Sequence, residues 1–307
     1  MKKKRKNRIF ILSLFAAEVI IIVLIAFILS GIVKKGKAIK KSDMISKLTA
    51  ASLDHSAWIR DGKMVLAGED YENQKITDTW SGLQQVAISD HHVVALDAYG
   101  NAHAVGDNSS LQCSIDGVKK ISYIAAGLEC SVGVMEDGSI QVYGVMDETI
   151  RKQLEEEKNV CMVAVGDFHC AVLHKNGTVS AFGNNESGQC NTADWKSIQQ
   201  IAVGHAYTVG LTEEGKIVFT GDESCNPKEF TKWKNISEIA AGNSFFVARD
   251  KNGDTYAVGE NKQGECNVNA WENIISIAAG YDHTIGISDT GEIFAVGYNG
   301  KGQCDIK

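Results

Sequence analysis

Four histidines, His55, His92, His169 and His283, recur in one register of the chain, with Cys130, Tyr207 and Phe245 at the same register between them. Imidazoles ligate metals and shuttle protons. A second in-phase set, Cys113, Cys190, Cys266 and Cys304, with Cys225 slightly displaced, offers thiols, the other common zinc ligand. A shared zinc ion requires each ligand about 2 Å from it. Residues that recur in phase at long intervals lie on successive structural units, and packed sheets stand about 10 Å apart. In-phase residues therefore cannot converge on one ion, and no metal site is assigned. The imidazoles read as structural hydrogen-bonding groups and the thiols as small buried apolar ones. Equivalent cysteines also exceed the roughly 7 Å Cα limit for a disulfide. Cys161 and Cys170, on successive strands of one unit, are the pair that could face each other.

No other set of residues points to catalysis. The chain has no Gly-x-Ser-x-Gly, no His-Glu-x-x-His and no phosphate loop. Acid pairs such as Glu213-Glu214 fall at turn positions. The expectation is a protein that is not an enzyme and needs no cofactor.

The elements that must position these residues are set by glycine. Gly62, Gly100, Gly138, Gly177, Gly215, Gly253 and Gly291 are spaced 38, 38, 39, 38, 38 and 38 residues apart. Six residues after each comes a second glycine, at 68, 106, 144, 183, 221, 259 and 297. The unit is legible in residues 234–271. An apolar run, Ile236 to Ala241, turns at Gly242-Asn243-Ser244 into Phe245–Ala248. Asp250-Lys251-Asn252-Gly253 turns the chain again into Thr255–Val258. An outer segment then runs to Trp271, and Trp80, Trp195 and Trp233 hold the same place. Each unit reads as a three-stranded antiparallel meander, with room for a short fourth outer strand. One meander cannot bury both faces, whereas seven stacked radially cover one another. The fold class is all-β, a seven-bladed β-propeller over residues 46–307 preceded by one N-terminal transmembrane helix. In the third unit, VMDETIRKQLEEEKN replaces the usual outer segment. Asp147 there can cap a short helix that turns Ile150 and Leu154 inward.

Charge divides the chain. Residues 1–47 hold twelve Lys or Arg and two acids; residues 48–307 hold nineteen basic residues and thirty-six acids. The acidic body argues against nucleic acid as a partner. Residues 1–8 form a basic tail, 9–33 an apolar run interrupted by Glu18, and 34–45 a basic linker. The run is long enough to cross a bilayer and shows no small-x-small cleavage site. It is expected to be an uncleaved signal-anchor, with the tail inside and the propeller outside the cell. Glu18 is either a tolerated carboxyl or a contact with a partner helix.

GNNESGQCNTADW (183–195), IAVGHAYTVGLTEEGKIVFTG (201–221) and IAAGYDHTIGISDTGEIFAVG (277–297) resemble the regulator of chromosome condensation repeat. The likeness covers residues 46–307, and that family forms seven-bladed propellers. The short repeat looks more like bacterial members, beta-lactamase inhibitor protein II among them, whose loops at one end of the ring bind target enzymes. The resemblance implies the fold and leaves the function open.

The positions that vary between repeats are the seven turns after the first strand. They read Leu53-Asp54, Asp90-His91, Leu128-Glu129, Asp167-Phe168, His205-Ala206, Asn243-Ser244 and Tyr281-Asp282. These side chains are expected to gather at one mouth of the ring, either as ordinary solvated loops or as a recognition surface. Asp54, His91, Glu129, Asp167, Phe168, His205, Asn243, Tyr281 and Asp282 are the candidate binding residues. The expected function is a membrane-tethered recognition module for a protein partner at the cell surface. The alternatives are an inhibitor or regulator of a beta-lactamase or penicillin-binding enzyme, and an exchange-factor-like regulator. No small-molecule ligand is specified.

Overall fold

The computed structural model describes residues 47–306 apart from 72–73 and 224–227. The predicted tail, span and linker, 1–45, and Cys225 lie outside the described residues. Among the described residues no helix is long and apolar enough to cross a membrane.

Residues 47–306 form seven three-stranded antiparallel sheets, each drawn from one continuous stretch of chain in the order inner, middle, outer. Blade 1 comprises Thr49–Ala51, His55–Arg60 and Lys63–Gly68. Blade 6 comprises Ile236–Ala241, Phe245–Asp250 and Thr255–Gly259. Blade 7 comprises Ile274–Ala279, His283–Ser288 and Ile293–Gly297. Successive inner strands pack side by side, and blade 1 packs on blade 7, so the ring closes. Among the described residues no blade has a fourth strand, and no strand of one blade completes the sheet of another.

The two in-phase glycines have different structural reasons. The first has φ between 71° and 90°. In blades 1 to 6 its carbonyl accepts, at 3.0–3.2 Å, the N–H that opens the next inner strand, as Gly215 does for Ile236. It therefore ends one blade's hairpin and docks the next blade. The second has φ between 92° and 120°. A Cβ there would stand 2.1–2.5 Å from a carbonyl oxygen in the blade's own first turn, such as Asp282 O beside Gly297. Only glycine permits that approach.

The middle strands are buried along most of their length. Two of them carry a glycine where the tryptophan that ends the preceding outer segment packs. A Cβ on Gly210 would meet the Trp195 ring at 2.8 Å, and one on Gly286 would meet Trp271 at the same distance. In the outer segments Cys113, Cys190, Cys266 and Cys304 each donate Sγ–H to a carbonyl six residues earlier, at 3.1–3.3 Å. Their N–H groups donate to the side-chain oxygen of Asn108, Asn185, Asn261 and Asn299 at 2.8–2.9 Å. The recurring cysteine thus pins its loop. Cys161 and Cys170 do not face each other. Val165 stands opposite Cys170, Cys161 falls in the bulge between Val160 and Met162, and both are free thiols.

Blade 3 has the altered edge that its sequence predicts. The helix Glu148–Glu156 begins where Asp147 Oδ1 accepts the N–H of Thr149 and Ile150, and Leu154 is fully buried beneath it.

Candidate functional site

The seven first turns meet around one end of the ring axis and enclose a funnel of about 220 Å3. The first residue of each turn lines it: Leu53, Asp90, Leu128, Asp167, His205, Asn243 and Tyr281. The second residue stands farther out. Its carbonyl accepts the N–H of the residue after the second glycine, as Phe168 O does from Asn184 and Asp282 O from Tyr298. Of the candidate residues, Asp167, His205, Asn243 and Tyr281 therefore face the funnel, while Asp54, His91, Glu129, Phe168 and Asp282 form its rim. Leu53, Asp90 and Leu128 complete the lining.

Backbone bonds fix this face from blade to blade. His205 N–H donates to Asn243 O, Asn243 N–H to Tyr281 O, and Tyr281 N–H to Ser52 O, at 3.1–3.3 Å. Leu53 N–H then donates to Asp90 Oδ1 at 2.8 Å. Phe168 meets the His205 ring edge-on at 4.8 Å. The mouth exposes large apolar side chains on this rigid frame. Phe168 is 50% exposed, Leu128 47%, Leu53 38% and Tyr281 37%. Val145 and Tyr298, which follow the second glycine in blades 3 and 7, extend the patch. Their register after that glycine was readable in the sequence, but nothing in their residue types set them apart.

Burial raises the Asp282 carboxyl above the usual carboxylate range, and the neighbouring Glu265 and Glu260 carboxylates raise it further. Lys301 pairs with Glu69, and Lys262 with Glu260.

The recurring histidines lie one step inside the mouth, and three of the four bind the next blade. His92 Nε2 meets Ser131 Oγ, His169 Nε2 meets Thr208 Oγ1 and His283 Nε2 meets Ser56 Oγ, each at 2.8 Å. Thr208 Oγ1 also donates to Gln189 O, so His169 Nε2 carries the proton in that pair. Burial lowers all three imidazoles to about 4, so they are neutral. In blade 5 Tyr207 fills the same place and donates to the carbonyls of Gly242 and Phe245 in blade 6. Among the described residues no three His, Cys, Asp or Glu side chains gather as a metal set.

A second ring of polar links lies deeper along the axis. Gln85 accepts from Ile124 N–H at 2.7 Å, and Gln200 both accepts from Ile239 N–H and donates to Ile239 O. Glu238 accepts from Ile277 N–H at 3.3 Å and from Ser276 Oγ at 3.2 Å, while Arg249 donates to its other oxygen at 3.0 Å. Ser276 Oγ in turn meets Thr49 Oγ1 of blade 1 at 2.9 Å. Sequence reasoning missed this ring, although its members share the third position of the inner strand.

Seven contiguous three-stranded blades joined side by side define a seven-bladed β-propeller whose varied surface is its mouth. Two blades, over residues 160–189 and 274–303, match the regulator of chromosome condensation (RCC1) repeat. It is 24% identical over 156 residues to Ras guanine nucleotide exchange factor C of Dictyostelium discoideum; the match spans 50% of this chain and 10% of that protein. Among solved structures it is similar to yeast RCC1 (Prp20) bound to Kap60. That likeness has a TM-score of 0.62 and 16% identity, and covers 87% of this chain and 85% of that one. It is also similar to the CRINKLY WD40 ectodomain of the Arabidopsis thaliana receptor kinase ACR4. There the TM-score is 0.59 and the identity 16%, with 82% of this chain and 97% of that one covered.

Proposed function

We propose that the protein is a non-catalytic propeller, tethered to the cell membrane through residues 9–33, that holds a protein partner on its mouth outside the cell. The carrying observation is the exposure of Leu53, Leu128, Phe168 and Tyr281 around one funnel on a hydrogen-bonded frame. Large apolar side chains held rigid on one face are what a recognition surface requires. A solved complex of yeast RCC1 with Kap60 and the ectodomain of a plant receptor kinase give precedents for both halves of the reading. The tether rests on the apolar run itself. Protease added to intact spheroplasts is expected to degrade the propeller, and its protection would remove the cell-surface assignment. Phe168→Ala with Tyr281→Ala in the full chain is expected to abolish partner capture; undiminished capture would displace the site from the mouth.

In the narrower form of this reading the partner is a cell-envelope enzyme, and beta-lactamase and penicillin-binding activities titrated with the full chain decide it. The similarity to Ras guanine nucleotide exchange factor C favours a second reading, an exchange-factor-like regulator. Accelerated nucleotide release from a small GTPase would establish that one.

A further inference from the structure

Among the fourteen mouth-turn residues five are Asp or Glu and none is Lys or Arg. Two of the five, Asp90 and Asp167, stand inside the funnel beside Leu53, Leu128 and Tyr281. The positions following the second glycines add Glu69, Asp107, Asp222 and Glu260, again with no Lys or Arg, and the last three are hydrogen-bonded to these turns. At the opposite end of the ring the hairpin tips carry Asp61, Glu136, Asp137, Glu213, Glu214 and Asp289, but Lys175 and Lys251 stand among them. The fold thus places carboxylates around the exposed apolar opening of the mouth.

We infer that the mouth binds a Lys- or Arg-bearing segment of a protein partner, one basic side chain entering the funnel between Asp90 and Asp167. The size agrees: a funnel of about 220 Å3 holds one long side chain and not a folded element. The chemistry agrees as well. Lys and Arg present an aliphatic stem and a charged head. Leu53 and Leu128 suit the stem, the two carboxylates suit the head, and the Tyr281 ring offers a cation–π face. An anionic side chain entering the funnel would meet like charge from Asp90 and Asp167, since Lys262 and Lys301 are paired with Glu260 and Glu69 farther out. A purely apolar one would leave the carboxylates desolvated without a counter-charge. Burial, and after it the Glu265 and Glu260 carboxylates, already disfavours the ionised Asp282, and an incoming cation offsets this. This inference rests on the mouth being the docking face and adds the chemistry of what docks.

Fluorescence anisotropy on the detergent-solubilised full chain tests it, with a labelled peptide Leu-Lys-Arg-Leu-Lys-Arg-Leu and a counterpart carrying Glu at each basic position. The basic peptide is expected to bind saturably and more weakly as salt rises, and the acidic one not to bind. Asp90→Asn with Asp167→Asn is expected to weaken binding about tenfold or more. Asparagine keeps an acceptor for Leu53 N–H, so the turn survives. Glu213→Gln with Glu214→Gln, at the opposite end, is expected to change it less than about twofold. No saturable binding, equal binding of the acidic peptide, or equal effects of the two double variants would overturn the inference. If Phe168→Ala with Tyr281→Ala abolishes partner capture yet the basic peptide does not bind, the docking face stands and its charge preference falls. If the peptide binds the mouth and capture is indifferent to those variants, the docking face falls instead.

Discussion

His283 Nε2 lies 2.8 Å from Ser56 Oγ although 227 residues separate them, and this contact joins blade 7 to blade 1. It is the same bond that His92 makes with Ser131 and His169 with Thr208 at interior seams, 39 residues apart. The closing seam therefore uses the ordinary inter-blade joint and no exchanged strand. It adds Tyr281 N–H to Ser52 O at 3.1 Å, Gln303 Nε2 to Leu53 O at 3.2 Å, and the packing of Ile306 beside Trp58 and Val65. Residues 301–306 lie beside Trp58, Val65, Leu66 and Ala67 on the middle and outer strands of blade 1.

Opening that seam should cost stability at once, because nothing covalent holds it. Deleting residues 302–307 removes the fully buried Gln303 and the Ile306 contact. A loss of at least about 2 kcal/mol is expected from those terms. Ser56→Ala leaves the buried His283 Nε2 unpaired and should cost about 1–3 kcal/mol. Urea denaturation of the full chain checks both, and a midpoint equal to that of the parent would show that closure lies elsewhere.

The same joint explains an orphan. His55 stands where His92 does, yet neither of its buried ring nitrogens makes a hydrogen bond. Its partner position in blade 2 is Val93, where the other three histidine seams have Ser or Thr, and the ring stacks on Tyr71 at 4.1 Å instead. A Val→Thr change in a core ordinarily costs about 1–3 kcal/mol for the buried hydroxyl. Val93→Thr should cost far less, or stabilise, because the hydroxyl meets a waiting imidazole. A full-sized loss on urea denaturation would show that the two groups do not meet.

The buried histidines also fix a pH dependence. His92, His169 and His283 fall to about 4 in the folded chain, from 6.5 when unfolded. Between those values the unfolded chain binds more protons, so stability is full above about pH 6.5 and falls as pH drops toward 4. Each group contributes about 3 kcal/mol to that loss. His169→Gln should flatten the slope of stability against pH in this window, as read by urea midpoints at several pH values. An unchanged slope would mean that His169 does not carry its share.

Much of this was legible in the sequence. Gly215 marks a turn and Gly221 a close approach within the same hairpin, to Ala206 O, and both are local to one blade. Asp147 as a cap and Leu154 as a buried contact followed from helical spacing for the same reason. The split of the mouth turns into lining and rim was not legible, because it depends on how Asp167 and Phe168 diverge once the following N–H of Asn184 claims the Phe168 carbonyl. The partners of His92 and Gln200 were hidden too. Each bonds across a seam to a residue about one repeat away, and only the ring brings them together.

Glu238 and Arg249 show how far the repeat can be used as its own control. They pair at 3.0 Å as cross-strand neighbours in blade 6, nearly buried. Burial holds the Glu238 carboxyl above the usual carboxylate range against the pull of Arg249. The corresponding neighbours are Gln200 with Leu211 in blade 5 and Gln85 with Leu96 in blade 2. In both, the glutamine makes the inter-blade link without any charge. Arg249→Leu alone should cost about 3–5 kcal/mol, because it removes the hydrogen-bonded partner of a buried carboxylate and leaves only the buried Lys47 to offset its charge. Glu238→Gln with Arg249→Leu rebuilds the neutral pair of blades 2 and 5 and should be neutral or stabilising. Thermal denaturation of the two variants decides it. If the double variant is as damaged as the single one, the ion pair supplies something to blade 6 that the glutamine link does not, and the blades are not interchangeable at this position.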